Sequence, residues 1–250
     1  MHGVRALLLI GGEYMKTRNI KDFLNIKNLG EKAELHFYGE IVSDEWEKWS
    51  DLDTCPEDVL SYLNTLEDYK ELDIYINSGG GSVFAGLGIY NILKRHKGRK
   101  TVYVDGLAGS IASIIAMVGD EIIVPSNSFI MIHKPLCGVC GNANDMREMA
   151  DTLDRIEEGL INTYKTKLKD NVDIETIKAM VNAETWLTGV EASKYFNITV
   201  TEANKMIAKV DTNLLNSYKN VPENLKPNDK DIAEDLAIKN KEIEIALALI

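Results

Sequence analysis

A serine at position 110 stands where an apolar, strand-like stretch gives way to an apolar, helix-like stretch. The strand-like residues 101–104 are β-branched and aromatic, and residues 111–118 are rich in Ala, Ile and Met. A serine at such a sharp turn holds its hydroxyl outward, beside the free N–H groups of the following helix. That arrangement suits a nucleophile in acyl transfer, with a site for the developing oxyanion next to it. An ordinary turn with a capping serine fits the same pattern.

Two further segments supply the partners that such a serine needs. Three glycines, 79–81, follow the strand-like residues 72–76, and glycine lets backbone N–H groups face outward without a Cβ in the way. His133 ends the apolar run 129–132, which places an imidazole at the tip of a strand. Each feature alone is common, as a plain turn or as a structural histidine. Together with Ser110, in this order, they favour a hydrolytic site over coincidence.

At these segments the chain resembles the ClpP-type serine peptidases, most closely the ClpP-like proteases that phages and prophages encode for head maturation. The similarity extends from about Glu34 to about Ala192. It is carried by four motifs: Ile76-Asn77-Ser78-Gly79-Gly80-Gly81, Gly106-Leu107-Ala108-Gly109-Ser110, Met131-Ile132-His133-Lys134-Pro135 and Ala183-Glu184-Thr185-Trp186-Leu187-Thr188. The resemblance implies an α/β fold of the ClpP/crotonase-like type, a superhelix of βαβ units with a protruding handle helix.

The resemblance also implies roles for individual residues. Ser110 matches the family's nucleophile and His133 its general base, and the backbone N–H groups of Gly81 and Ile111 match its oxyanion hole. The residue that orients the histidine is an aspartate in the cellular enzymes, and Glu184 stands in its place here. Glutamate is one methylene longer but can still accept a hydrogen bond from the imidazole Nδ1.

These matches predict a serine endopeptidase with a Ser-His-acid triad that needs no cofactor and no metal. The family implies protein or peptide substrates and a homo-oligomer, with heptameric rings stacked into a closed chamber. A phage or prophage enzyme would process capsid or scaffold proteins, in the bacterial host cytoplasm or in the phage prohead. The alternative is a general degradative peptidase with a separate AAA+ unfoldase, because the chain contains no Walker motif.

Rivals of other classes stay open on the sequence. A crotonase-like acyl-CoA enzyme shares the paired oxyanion N–H groups but uses carboxylates in place of a serine and a histidine. A non-catalytic assembly protein would keep the fold without the chemistry, which the presence of Ser110, His133 and Glu184 disfavours. A membrane-type signal-peptide peptidase would need a lysine base and a membrane anchor.

Composition sets broad limits on partners. The 250 residues are 45% hydrophobic and 27% charged, enough for one sizeable core with appendages. A net charge of −11 disfavours nucleic acid or an anionic membrane as the partner. No apolar stretch approaches membrane-spanning length, and three cysteines predict a reducing, cytoplasmic compartment. Cys137 and Cys140 form a single CxxC, too few ligands for zinc, although a redox switch near His133 is a further hypothesis.

The sequence is expected to divide into three parts. Residues 1–30 are interpreted as an N-terminal extension, of which 1–14 are a translated leader before a natural start at Met15. Residues 31–208 are expected to form the peptidase domain. Residues 209–250 are expected to form a linker, rich in Asn and Pro at first, and then a C-terminal helix.

Alternating strand and helix patterns predict parallel βαβ units over the domain. Strands are expected at 35–42, 72–76, 101–104, 121–124 and 129–132, and helices at 56–66, 82–97 and 111–118. The longest helical pattern, 142–169, carries an apolar residue every three or four positions. Such a stripe packs either on the core or, as the resemblance implies, on a second copy of the chain.

Overall fold

One seven-stranded sheet organises the residues that the computed structural model describes, 32–66, 71–203 and 217–225. Its strands are β1 (Lys32–Phe37), β2 (Glu71–Ser78), β3 (Arg99–Gly109), β4 (Glu121–Pro125), β5 (Phe129–Ile132), β6 (Thr185–Thr188) and β7 (Thr199–Thr201). The helices are α1 (Pro56–Thr65), α2 (Val83–Arg95), α3 (Ile111–Ala116), α4 (Ala143–Lys165), α5 (Ile174–Asn182) and α6 (Gly189–Ala192). Short 3₁₀ helices lie at Glu45–Glu47 and Glu223–Leu225. The predicted leader and C-terminal helix lie outside the described residues.

The strand order brings together the ends of segments that are far apart in the sequence. β1, β2, β3, β4 and β7 lie side by side in parallel. β3 also pairs in parallel with β5 through its last three residues, beyond the part that pairs with β4. β6 runs antiparallel to β5. The carboxyl ends of β2, β3 and β5 therefore meet the amino end of β6 at one edge of the sheet.

The strands differ in how far both of their faces are buried. In β2 six of the eight residues are buried, as is typical of parallel strands covered by helices, whereas β1 and most of β3 alternate between buried and more exposed residues. All four residues of β5 are buried, and so are all six residues of α3. Each buried Leu, Ile or Val contributes on the order of 1.5–3 kcal/mol by leaving water. The strand ends that carry the candidate site are thus anchored by buried side chains, which include the small cluster of Leu107, Phe129 and Met131.

Most predicted elements are confirmed, but the first strand is wrong in its second half. β1 ends at Phe37 instead of continuing to position 42. The chain turns at Gly39, where a side chain would collide with the backbone of Leu52. After this turn Ile41 makes only isolated bridges, one of them to Gly81 in the glycine turn. Residues 38–42, which were predicted to continue the strand, instead support the glycine turn of the candidate site through Ile41.

Helix α4 follows the predicted long pattern, beginning after Asn142 as its N-cap. The Asn142 side chain accepts the backbone N–H of Asn144 at 2.8 Å, so the cap is Asn142. Its buried residues belong to the last turns: Leu160, Ile161, Thr163 and Tyr164. The first half is exposed or half-buried, and Met146 is 49% exposed. This half of the helix therefore extends away from the core like a handle.

Four elements after α4 had no counterpart in the sequence predictions: α5, β6, α6 and β7. They are short, so their periodicity is weak. Within the described ranges, no helix combines the length and apolar character that crossing a membrane requires. Over the same ranges, no group of three or more His, Cys, Asp and Glu side chains is arranged to hold a metal ion.

Candidate active site

Ser110 occupies a strained turn between β3 and α3. Its φ of 52° and ψ of −125° lie in a region that residues other than glycine rarely adopt, at a cost of about 1–3 kcal/mol. Two hydrogen bonds hold the turn: Ser110 N donates to the Met131 carbonyl at 2.9 Å, and the Ser113 hydroxyl donates to the Ser110 carbonyl at 2.5 Å. The Ser110 side chain is thereby directed away from the sheet, as the sequence pattern predicts for a nucleophile.

His133 lies beside Ser110 because the strands that precede them are neighbours. Gly109 of β3 is in parallel register with Met131 of β5. The His133 Nε2 lies 2.6 Å from the Ser110 Oγ. For the hydroxyl to donate to Nε2, this nitrogen must be unprotonated. Burial lowers the pKa of His133 below its usual value, against the opposing effect of the negative charge on Glu184. The imidazole is therefore neutral at neutral pH, as a general base must be.

Glu184 lies at the same edge of the sheet, because it immediately precedes Thr185, the partner of Ile132 in the antiparallel pair. Its Oε1 accepts the backbone N–H groups of Lys219 and Asn220, at 2.7 Å and 2.6 Å. The indole Nε1 of Trp186 lies 3.5 Å from the same oxygen.

The direct contact that the resemblance implies is not made in this arrangement. None of the hydrogen bonds among the described residues joins Glu184 to His133. Oε2 of Glu184 likewise has no hydrogen bond within the described part of the chain. Glu184 influences His133 through its charge, which raises the pKa of the imidazole.

The glycine turn packs directly on the turn that carries Ser110. Gly80 and Gly81 have φ values of 113° and 141°, which a side chain would strain. A Cβ on Gly80 would lie 2.7 Å from the Ser110 Cβ. The Ser78 hydroxyl fixes the start of the turn, accepting the Gly80 N–H at 3.1 Å and donating to the Gly39 carbonyl at 2.6 Å. Only glycine allows the two turns to approach this closely.

Two backbone N–H groups beside Ser110 are available to a ligand. Among the described residues, no hydrogen bond outside the helices and strands has the N–H of Gly81 or Ile111 as its donor. Ile111 is the first residue of α3, so its N–H lacks an acceptor within the helix. The predicted oxyanion donors therefore lie next to the predicted nucleophile, and both are unoccupied by intramolecular acceptors in the described structure.

Sequence reasoning missed a supporting pair beneath Ser110. The buried Ser113 hydroxyl also lies 2.7 Å from the Tyr164 hydroxyl at the end of α4. Ser113 is three residues after Ser110 in a helix-like run, a spacing that signals a contact on the same helix face. Tyr164 belongs to the apolar stripe of α4, so its position was predicted but its hydrogen bond was not.

Sequence reasoning also missed a contribution from residues 217–225. The Tyr218 ring lies edge-on to the His133 imidazole, with centroids 5.2 Å apart. The Tyr218 hydroxyl donates to the Gly79 carbonyl at 2.6 Å. Tyr218 stands in a stretch rich in Asn and Pro that is typical of a linker, so no local pattern points to this contact.

Comparisons with known proteins find similarity over the part of the chain that contains these groups. The family model described as Clp protease matches residues 49–199, a range that includes Ser110, His133 and Glu184. An ATP-dependent Clp protease proteolytic subunit from Bacteroides thetaiotaomicron is 32% identical over 139 residues, 54% of this chain and 62% of that relative. An ATP-dependent Clp protease proteolytic subunit 1 from Prochlorococcus marinus is 34% identical over 140 residues, 54% of this chain and 69% of that relative.

A third relative matches over a longer range. The ATP-dependent Clp protease proteolytic subunit of Mesostigma viride is 28% identical over 189 residues, 74% of this chain and 76% of that relative. The chain thus spans about 62% of the Bacteroides relative and about three quarters of this one. The family match ends at residue 199, before the segment that contains Tyr218.

Proposed function

Because the chain belongs to the Clp protease family, we propose that it is a ClpP-type serine endopeptidase acting on protein or peptide substrates. The observation that carries this proposal is the 2.6 Å separation between the Ser110 Oγ and the His133 Nε2. The ClpP/crotonase-like fold places both groups beside a glycine turn with free N–H donors. The candidate nucleophile, base and oxyanion donors are therefore within reach of one carbonyl carbon.

In the proposed acylation, His133 Nε2 takes the hydroxyl proton of Ser110 as Oγ attacks the peptide carbonyl. The N–H groups of Gly81 and Ile111 donate to the oxyanion that forms. The imidazolium then protonates the leaving amine, and the C–N bond breaks to leave an acyl-enzyme. In deacylation, a water molecule gives its proton to His133 and attacks the ester, which releases the carboxyl product and restores Ser110.

Glu184 is proposed as the acid that steadies the imidazolium. One of its oxygens, Oε1, is held by backbone donors, and Oε2 remains available to accept the Nδ1–H of His133. Catalytic hydrogen bonds are often long in the free enzyme and tighten in the substrate complex. The proposed triad is complete when Oε2 of Glu184 accepts this hydrogen bond.

Of the two biological settings predicted from the sequence, degradation with a separate ATPase is favoured, since the relatives are named as proteolytic subunits of an ATP-dependent protease. Head maturation, with capsid or scaffold proteins as substrates, is the second candidate, and it rests on sequence resemblance alone. In either setting we propose that residues 31–208 form the peptidase domain and that the chain assembles into rings. Substrate access is then controlled by the assembly.

An acyl-CoA enzyme is disfavoured by the same observation that supports the peptidase. Crotonase-like chemistry uses carboxylates near the oxyanion donors. Here the turn that carries Ile111 also carries a serine hydroxyl, which is joined by a hydrogen bond to an imidazole. The oxyanion donors therefore face a nucleophile and its base.

The test is covalent labelling of the wild-type chain with a fluorophosphonate, followed by peptide mapping and by assay on an unstructured peptide. We expect the label on Ser110, and we expect Ser110→Ala to lose labelling and to lower kcat/KM by roughly 10⁴–10⁶-fold. Ser193→Ala is the matched control for labelling, since the Ser193 hydroxyl donates to the Val190 carbonyl and to no group of the candidate site. Equal labelling of wild type and Ser110→Ala would contradict the proposal.

A further inference from the structure

We propose that residues 217–225 are a built-in part of the catalytic site, with Tyr218 as a positioning residue for His133 and with the backbone N–H groups of Lys219 and Asn220 as a clamp on Glu184. This inference rests on the proposed function and extends it to residues beyond the family match, which ends at residue 199.

The first observation is the grip on Glu184. Two successive peptide N–H groups donate to a single carboxylate oxygen, Oε1, at 2.7 Å and 2.6 Å. The Asn220 side chain adds bonds from its Nδ2 to the carbonyls of Ala183 and Glu184, at 2.9 Å and 3.2 Å. Hydrogen bonds to an ionised group are about twice as strong as neutral ones. The carboxylate is thus fixed through one oxygen, and the other stays free for His133.

The second observation is the position of the Tyr218 side chain between His133, Trp186 and the glycine turn. Its ring contacts the imidazole of His133 and also the indole of Trp186, with centroids 5.2 Å and 5.9 Å away. Its hydroxyl donates to the carbonyl of Gly79 at 2.6 Å. Burial raises the pKa of Tyr218 to about 12, so the hydroxyl stays protonated and remains a donor. One side chain thereby connects the base to the glycine turn that carries an oxyanion donor.

The third observation is the anchor of the segment. Val221 and Leu225 pack, with Trp186 and Tyr218, against a buried cluster separate from the main core. That cluster consists of Leu107, Phe129 and Met131, on the strands that end at the site. The segment therefore packs on its own small apolar surface, which is formed by β3 and β5. Its contacts with the catalytic groups are held by packing as well as by hydrogen bonds.

The segment completes the site without covering it. Ser110 and His133 both remain only half-buried with Tyr218 in place, and their hydrogen bond is intact at 2.6 Å. A segment that acted as a plug would bury the nucleophile or displace the base. The contacts of 217–225 instead go to the orienting acid, to the imidazole ring of the base and to the Gly79 carbonyl. The Tyr218 hydroxyl also interacts with the Ser110 side chain, which keeps its hydrogen bond to His133.

The experiment compares two shortened chains with the full chain in fluorophosphonate labelling rate and in peptide hydrolysis. We expect a chain ending at Leu225 to stay within about twofold of the full chain, because the described contacts to the site end there. A chain ending at Asn216 should lose roughly 10–100-fold in labelling rate and in kcat, since displaced catalytic groups cost about that much. KM should change less than kcat.

Substitutions of Tyr218 in the full chain keep the proposal testable if the shorter chain does not fold. Tyr218→Ala exposes His133 to water and should shift the acidic limb of the pH profile towards the ordinary value of histidine, with a lower kcat. Tyr218→Phe retains the aromatic ring, so the acidic limb of its pH profile should stay at the wild-type position. The other titratable group facing His133 is Glu184, which neither variant changes, and Tyr218 itself stays neutral over this range.

Each outcome decides the matter. The inference would be overturned if the labelling rate and the pH profile were both unchanged in the chain ending at Asn216 and in Tyr218→Ala. Such a result would mean that the segment has only a structural role, because a positioning role must change at least one of these two measurements. Faster labelling in the shortened chain would also overturn it, since the segment would then be an occluding strap. A full-length wild-type chain that neither labels at Ser110 nor cleaves peptide overturns the proposed function itself, and this inference with it.

Discussion

At the scale of single residues, two backbone conformations define the site. Ser110 and Glu184 are the non-glycine residues with positive φ among those described, at 52° and 51°. Such strain persists only where surrounding contacts enforce it. At Ser110 these contacts come from Ser113 and Met131, and at Glu184 from Asn220. Both strained residues are candidate members of the triad. The backbone strain therefore lies at the residues whose side chains must be oriented most accurately.

The pH profile should report the balance of effects on His133. The proposed peptide hydrolysis requires the neutral imidazole of His133, and burial lowers the pKa of this imidazole. We therefore expect activity to persist below the usual histidine value of about 6.5. The charge of Glu184 raises this pKa. In Glu184→Gln we therefore expect the acidic limb of kcat/KM to move to lower pH, while the plateau falls because the imidazolium loses its partner.

Glu184→Asp is the matched control for this prediction, because it keeps the charge and shortens the side chain by one methylene. Its acidic limb should move less than that of Glu184→Gln. A limb that moves to higher pH in Glu184→Gln would contradict the assigned effect of Glu184 on His133. A plateau that is unchanged in both variants would remove Glu184 from the proposed mechanism.

At the scale of elements, helices α2 and α3 meet at a glycine. A Cβ on Gly86 would overlap the side chain of Ile111, whose N–H is a proposed oxyanion donor. Gly88 lies two residues further along the same helix, and a Cβ there would make only an ordinary contact of 3.7 Å with Pro56. The two glycines share a helix and differ in what they face.

Gly86→Ala should therefore destabilise the chain by about 1–3 kcal/mol through overpacking and should also lower activity by shifting Ile111. Gly88→Ala is the matched control and should be neutral, or stabilising by up to about 1 kcal/mol, because alanine is the better helix former. Denaturant unfolding measures both changes. Equal stability of the two variants would contradict this account of the helix contact.

An element can be predicted from the sequence to the extent that its bounds depend on residues within the element and next to it. β5 has the predicted bounds 129–132, because its apolar run is short and sharply bordered. The strand predicted at 35–42 is cut short at Phe37, because the close approach at Gly39 depends on a distant backbone. Ser110, His133 and the glycine turn were proposed as one site from the sequence because each directly follows a recognisable strand. Tyr218 was not, because its contacts with His133 and Gly79 join residues that are far apart in the chain, 139 positions in the case of Gly79.

At the scale of the whole molecule, helix α4 carries an apolar stripe that is partly exposed to solvent. Met146 is 49% exposed, and Met149 and Leu153 are half-buried, on the half of the helix that leaves the core. We propose that this stripe pairs with its copy in an opposing ring. The acidic residues on the other face, such as Glu148, would stay in solvent.

Met146→Asp should shift the assembly to a smaller species in size-exclusion chromatography with light scattering, because a charge within an apolar seam costs desolvation. Glu148→Lys, which also changes charge but lies on the opposite face, should leave the mass unchanged. Labelling of Ser110 should survive in the smaller species if each subunit carries its own site. Equal masses for wild type and Met146→Asp would exclude this stripe as the contact.

The position of residues 217–225 has a consequence for the order in which the protein becomes active during synthesis. The sheet, the serine and the histidine all emerge from the ribosome before the amides that grip Glu184. A chain that stopped early would thus contain most of the hydrolytic machinery in an unfinished state. On the proposed role of residues 217–225, competence would arrive only after this segment has been made and has docked on the strands that were made before it.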